Sequence, residues 1–242
     1  MKSDLRGRVS SRREAFVRKR VPRRRPSRSV ALGMLAVILH YCGALPARSE
    51  EPVPTIRVRV LNYTRVTPAA VAAAERRAGQ ILGDAGLKVI WIDCWIGESS
   101  DNPSGPCQQP LSPAEVLLRV VSDRGRNEIP ENAFGFAVPP ILASVYYEPA
   151  ARLARIEGYE LASILAGVIA HELGHLLLGS GSHSKFGIMQ GQWGSKCLQL
   201  VRWNALQFTP EQSKLIRAEG QRRMSLQGIA MKNAVTFTAS AK

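Results

Sequence analysis

HELGHLLLGSGSH, residues 171–183, carries three of the four histidines in the chain. Two of them, His171 and His175, are four residues apart, a spacing that puts both side chains on one face of a helix. Glu172 lies beside them in a run that is otherwise apolar. A buried carboxylate is costly unless something compensates it, and a metal ion does so. The pattern therefore predicts a buried helix with a metal site on one face.

The H-E-x-x-H spacing is that of zinc hydrolases, in which two histidines bind the ion and the glutamate is the general base. Zinc makes a bound water acidic near neutral pH and polarises the scissile carbonyl. His171 and His175 are therefore predicted metal ligands, and Glu172 is the predicted catalytic base. The simpler interpretation is a core helix that happens to carry polar residues, but such a match arises by chance in only about a few sequences per thousand.

A catalytic zinc site needs a third protein ligand and keeps its fourth position for water. One source is a carboxylate from a later helix, Glu211 or Glu219. The other is His183, because the glycine-rich turn that begins at Gly179 lets the chain leave the helix sharply and fold back. His183 is the nearer and chemically better choice. A fourth ligand, for which Cys197 is the candidate, would instead indicate a structural metal.

The run from His171 to Met189 resembles the metzincin clan of zinc peptidases, whose pattern is H-E-x-x-H-x-x-G-x-x-H followed by a methionine-containing turn. Here Gly179 follows His175 by four residues and His183 follows Gly179 by four, one more than the clan has at each step. The same run is similar to that of a group of uncharacterised secreted bacterial zinc-dependent peptidases. The resemblance implies a Zn²⁺ cofactor, a peptide or protein substrate, and Met189 as the apolar floor of the site.

Upstream of the motif, strand patterns alternate with a helical one. The sequence predicts four strands, in residues 55–63, 88–94, 115–123 and 142–150. A helix between the first two strands has a Thr-Pro start and a glycine stop, so the chain opens with a βαβ unit. The fourth strand is short enough to lie at the edge of the sheet. The segment 124–140, which is punctuated by proline and glycine, is predicted to be a loop.

Two further helices follow. Over residues 151–178, apolar residues recur at intervals of three and four on nearly all sides, which indicates a helix in the core. Thr209 and Pro210 begin the last helix, and the residues from Ser225 are expected to fray. The expected fold is α+β and metzincin-like, with a mixed twisted sheet of about four strands, a central active-site helix and a C-terminal helix.

The basic charge is concentrated at the N-terminus. Residues 1–29 contain twelve basic and two acidic side chains of a chain whose net charge is +14, so the part from Arg48 onward is only mildly basic. An apolar run follows directly and ends in small residues near Ala47, the order of an export signal. A nucleic-acid-binding arm is the alternative. We expect a leader and signal peptide in 1–47, a zincin-like catalytic domain in 48–224 and a flexible tail in 225–242.

Export predicts a secreted or periplasmic protein. In an oxidising compartment, a bridge between Cys94 and Cys107 would staple the loop between them and leave Cys197 unpaired. We expect a monomer that binds no nucleic acid and that meets the membrane only through its export signal, if that signal remains uncleaved.

The predicted edge strand contains Tyr146 and Tyr147, which are candidates to bind the oxyanion or the substrate backbone, although such residues more often pack on one face of a sheet. An exposed edge at 143–147 would let an extended peptide add as another strand. Three functions stay open: a secreted zinc peptidase, another zinc-dependent amide or ester hydrolase, and an exported binding domain with a structural metal.

Overall fold

The computed structural model of the protein describes residues 52–94, 105–123 and 133–240, of which 234–240 are described as backbone only. The predicted leader, 1–47, lies outside the described residues. The described part consists, in chain order, of β1 Thr55–Asn62, α1 Pro68–Asp84, β2 Lys88–Cys94, β3 Glu115–Val121, β4 Gly135–Val138, β5 Leu142–Tyr146, α2 Tyr147–Glu157, α3 Leu161–Leu178, α4 Ser195–Arg202 and α5 Pro210–Ser240.

The strands form one mixed five-stranded sheet in the order β2-β1-β3-β5-β4. All neighbouring strands are parallel except β4, which is antiparallel to β5. The predicted α+β class with a mixed sheet is therefore confirmed, but the prediction of a loop over 124–140 was wrong for β4. The four residues of this strand are too few for a recognisable alternation, and two prolines follow them directly.

The βαβ opening is confirmed in detail. Alternate residues of β1, including Ile56 and Val58, are buried in the core against the helices. The Thr67 hydroxyl caps α1 by accepting a hydrogen bond from the Ala70 N–H. After α1, Gly86 adopts a φ of 84°, which only glycine takes at low cost, and the chain turns back into β2.

The single helix predicted over 151–178 is two helices. Gly158 ends α2 in the left-handed conformation, with a φ of 67°, and α3 begins three residues later. By length and composition α3 is apolar enough to cross a membrane, but 78% of it is buried inside the protein, as expected for a core helix. It packs on β4 and β5 and against α1, α2, α4 and α5.

The predicted edge strand is not at the edge. β5 lies between β3 and β4, so in the described part of the chain β4 is the outer strand at this end of the sheet and β2 is the outer strand at the other. Tyr146 is buried at the end of β5, and Tyr147 begins α2 rather than continuing the strand. The edge was assigned wrongly because β4 was not predicted from the sequence. Without β4, β5 would be the outermost strand.

The C-terminal helix begins with a reciprocal cap. The Gln212 N–H donates to the Thr209 hydroxyl, and the Thr209 N–H donates to the Gln212 side-chain oxygen. α5 then continues to Ser240, so residues 225–240, which were expected to fray, are helical. Most side chains between Ser225 and Asn233 are exposed, so this part of the helix contributes little to the core.

The disulfide between Cys94 and Cys107 is confirmed, and Cys197 is a buried free thiol whose pKa burial raises to about 11. The chain after the bridge is held by Arg59, which donates to the carbonyl oxygens of Gln109 at 2.5 Å and Pro110 at 3.2 Å. Arg59 also pairs with Glu115 at 2.8 Å, and both side chains are buried. The segment that leads from the bridge into β3 is thus fastened to the sheet.

Candidate metal centre

Three imidazole rings converge where α3 ends. The Nε2 atom of His175 lies 3.1 Å from Nε2 of His171 and 3.2 Å from Nε2 of His183. In the part of the chain that the structure describes, these three residues are the group of metal-ligating side chains whose donor atoms lie close enough together to hold one ion. The structure therefore brings together the two histidines of the helix and the third histidine that the sequence favoured.

Hydrogen bonds orient two of the rings. Nδ1 of His171 lies 2.7 Å from the carbonyl oxygen of Ile188, which can only accept, so this Nδ1 carries the proton and Nε2 keeps its lone pair. Nδ1 of His175 is 3.0 Å from the hydroxyl of Ser182. Burial lowers the pKa of His171 to about 4 and that of His175 below its usual range. Both rings are therefore neutral at pH 7, which is the form that binds a metal.

The turn between α3 and His183 depends on two glycines. Gly179 and Gly181 have φ values of 92° and 77°, which other residues rarely adopt. Beyond the turn, the Ser184 hydroxyl accepts a hydrogen bond from the side-chain amide of Gln212. The first turn of α5 thus supports the residue next to His183. Sequence reasoning missed this role of Gln212, although T-P-E-Q at 209–212 is a readable capping pattern.

The alternative ligands lie elsewhere. Glu211 is exposed in the first turn of α5, and Glu219 is engaged by Arg222 and Arg223. Cys197, the candidate for a fourth ligand, is buried in α4. Within the described residues, none of the three joins the histidine group.

Glu172 points into the space between α3 and β4. It is 5% exposed, and a Cβ built on Gly135 would lie only 2.5 Å from its Oε1 atom. Only glycine allows the strand to approach so closely. Burial raises the pKa of Glu172 to about 8, so this carboxyl group has an unusually high affinity for a proton. Gly135 went unnoticed in the sequence because it lies in the segment that was predicted to be a loop.

Met189 packs against α3 at Gly174. It is fully buried, and its sulfur would be 2.5 Å from a Cβ built on Gly174, which directly precedes His175. Because residue 174 is a glycine, the sulfur of Met189 can pack directly against the backbone of α3. The role of apolar floor that the metzincin resemblance implies for Met189 stays a prediction.

A cleft of about 550 Å³ opens over the histidines and Glu172. Its lining residues include Phe134, Phe136 and Trp193 together with Gly135 and Ala137 of β4. The Trp193 ring stacks on Phe134 with 6.4 Å between centroids and meets the His171 ring edge-on at 6.2 Å. Tyr146 and Tyr147, the candidate oxyanion residues, are not among the described residues that line this cleft.

No protein-family model and no curated protein matches the sequence of this chain. Among solved structures, archaemetzincin from Methanopyrus kandleri is similar with a TM-score of 0.44 and 17% sequence identity, over 75% of this chain and 99% of that chain. A likeness at this TM-score does not establish a common fold. A function for the chain therefore has to come from the residues of its own site.

Proposed function

We propose that the protein is a zinc-dependent metallopeptidase in which Glu172 is the general base. The observation that carries the proposal is the convergence of the Nε2 atoms of His171, His175 and His183 beside a buried carboxyl group at the floor of a cleft. Catalytic zinc sites use three protein ligands and leave one position open, whereas structural sites usually have four.

The donor set suits zinc. All three donors are imidazole nitrogens, and the ring of His171 is held in the tautomer that leaves Nε2 free. His183 is exposed toward solvent, while His171 and His175 are half-buried, so the site has an open side. When bound there, zinc would act as a Lewis acid on the scissile carbonyl and lower the pKa of a water.

Glu172 supplies the proton transfers in this proposal. Its carboxylate takes the proton from the attacking water and passes it to the leaving amine, the role of a general base that becomes a general acid. The backbone of β4 comes close to the Glu172 side chain at Gly135. This close approach limits the positions that the carboxylate can adopt.

The outer strand β4 offers a place for an extended peptide. It borders the cleft, and β5 occupies one of its sides, so its other side is the sheet edge in the described part of the chain. An extended substrate could pair with this edge and lay its backbone across the histidines. The stacked rings of Phe134 and Trp193 favour substrates with apolar side chains near the scissile bond.

We further propose that the protein acts after export, as a secreted or periplasmic monomer that binds no nucleic acid. The basic leader followed by an apolar run supports export. The bridge between Cys94 and Cys107 agrees with an oxidising compartment.

Metal content and peptide cleavage by the purified protein test the proposal together. We expect one equivalent of zinc by mass spectrometry, cleavage of a mixed peptide library, loss of cleavage after chelation and recovery when zinc is restored. Stoichiometric zinc without cleavage of any peptide would favour another amide or ester hydrolase or a structural metal. A protein that takes up no zinc would refute the metal site itself.

Gly135→Ala is expected to lower kcat/KM by roughly 10- to 100-fold, because displacement of a reacting group by about 1 Å can have that effect. The atoms nearest to the added Cβ all belong to Glu172, so the histidines should still bind zinc. Gly194→Ala is the matched control, since its Cβ would meet nothing within 4 Å. Cleavage assays and zinc analysis of both variants measure the effect, and an unchanged kcat/KM for Gly135→Ala would count against this role.

A further inference from the structure

We propose that Arg223 is a positioning residue that locks the hairpin of β4 and β5 onto the C-terminal end of α3, and so sets where β4 lies relative to the three histidines. Its consequence for catalysis rests on the proposed peptidase function. The lock itself can be tested without any substrate.

Arg223 joins three elements through one guanidinium group. The side chain extends from α5 and the residue is 3% exposed. Its Nη2 donates to the carbonyl oxygen of Pro140 at 2.9 Å and to that of Leu176 at 3.1 Å. Pro140 lies in the turn between β4 and β5, and Leu176 directly follows the metal-site residue His175. A single planar group therefore fixes the distance between the hairpin and the active-site helix.

The carbonyl group of Leu176 needs such a donor. Leu176 lies in the last turn of α3, where carbonyl oxygens have no partner within the helix, and a cation is favourable at that end of the helix.

The hairpin turn also reaches the cleft, because Pro139 forms part of its wall. At the other end of β4, Gly135 contacts Glu172. A shift of the hairpin would therefore change both the edge strand and the space around the catalytic base.

A purely structural ion pair does not account for these contacts. The Arg223 Nε donates to Glu219 at 2.8 Å, which compensates its charge. The neighbouring Arg222 also binds Glu219, through two hydrogen bonds of 2.7 and 2.8 Å, and its side chain is 57% exposed. Charge compensation within α5 would be served by Arg222 alone, whereas Arg223 has two further bonds that end on other elements.

Arg222 supplies the matched control for the experiment. Arg223→Gln removes the donors that reach Pro140 and Leu176 but leaves Glu219 paired with Arg222, so no buried carboxylate is stranded. Arg222→Gln removes the same charge from the same ion-pair group and keeps the lock. Arg223→Lys retains one donor group and should recover part of the effect, because an ammonium cannot reproduce the planar fork.

Hydrogen exchange of the full chain, followed by mass spectrometry, is the deciding measurement. We expect Arg223→Gln to speed exchange at least about tenfold in residues 135–146 and 174–179 while α1 and β2 keep their protection, since locally released segments open independently of the rest. Arg222→Gln should leave all of these segments unchanged. Equal protection of the hairpin in Arg223→Gln and wild type would overturn the proposed lock. A loss of protection that is uniform over all segments would also overturn it, because Arg223 would then stabilise the whole fold and not position the hairpin.

The catalytic consequence has its own measurement. With a peptide long enough to pair with β4, Arg223→Gln should raise KM about tenfold and leave zinc content unchanged, because the edge that holds the substrate is displaced. An unchanged KM together with a released hairpin would overturn the claim that the lock positions β4 for substrate. A wild-type protein that cleaves no peptide would refute the peptidase function, while the exchange pattern would still decide the lock.

Discussion

Replacement of Glu172 by glutamine is expected to abolish measurable peptide cleavage and to leave zinc bound. Glutamine has nearly the shape of glutamate, so it fits the space between α3 and Gly135 where the carboxyl group lies. It cannot accept a proton from water, however, and loss of a general base typically lowers rates by about 10²- to 10⁴-fold. Because the nearest donor atoms for the metal are the three imidazole nitrogens, the metal content should stay at the wild-type value.

The control for this variant is Glu211→Gln. It makes the same chemical change on an exposed side chain in the first turn of α5, at a residue that was itself a candidate ligand. Cleavage of a fluorogenic peptide and zinc analysis of both variants separate the effects. If Glu172→Gln kept more than about a tenth of wild-type kcat/KM, another group would have to be the base. If it lost zinc, Glu172 would have to be assigned to the metal instead.

The sequence determined the parts of the site that depend on local geometry. The spacing of His171 and His175 fixes their common face on a helix, and the glycines after Leu178 permit the turn that returns His183 to them. The disulfide was predictable for a similar reason, since only a short loop separates Cys94 from Cys107. In each of these cases, a few residues that are close in sequence restrict the local geometry strongly enough to predict the contact.

The parts that were missed depend on contacts between distant segments. β4 has four residues and exists as a strand because β5 pairs with it, so the sheet edge was assigned to the wrong strand. The requirement for glycine at position 135 arises from the approach of Glu172, which is 37 residues away in the chain. Arg223 is one of two adjacent arginines, and nothing in the sequence distinguishes the buried one from its exposed neighbour.

The second large effect is expected for His183→Ala, which should weaken zinc binding by more than about 100-fold. Loss of a partner that only orients a ligand typically costs 10- to 100-fold in metal affinity, and His183 offers a ligand atom itself. The residue is exposed and follows the end of α3, so its removal should leave the metal-free fold intact. Cleavage should be lost together with the metal.

Two measurements separate this effect from a loss of folding. Competition with a chelating dye gives the zinc affinity directly. Thermal unfolding with and without zinc gives the stabilisation that binding adds, and we expect the increase in Tm to disappear in His183→Ala while Tm without zinc stays the same. Lys185→Ala, a change at an exposed position in the same loop, should keep both the affinity and the Tm increase. Zinc affinity equal to wild type in His183→Ala would mean that the third ligand is another residue, and the three-histidine centre would have to be abandoned.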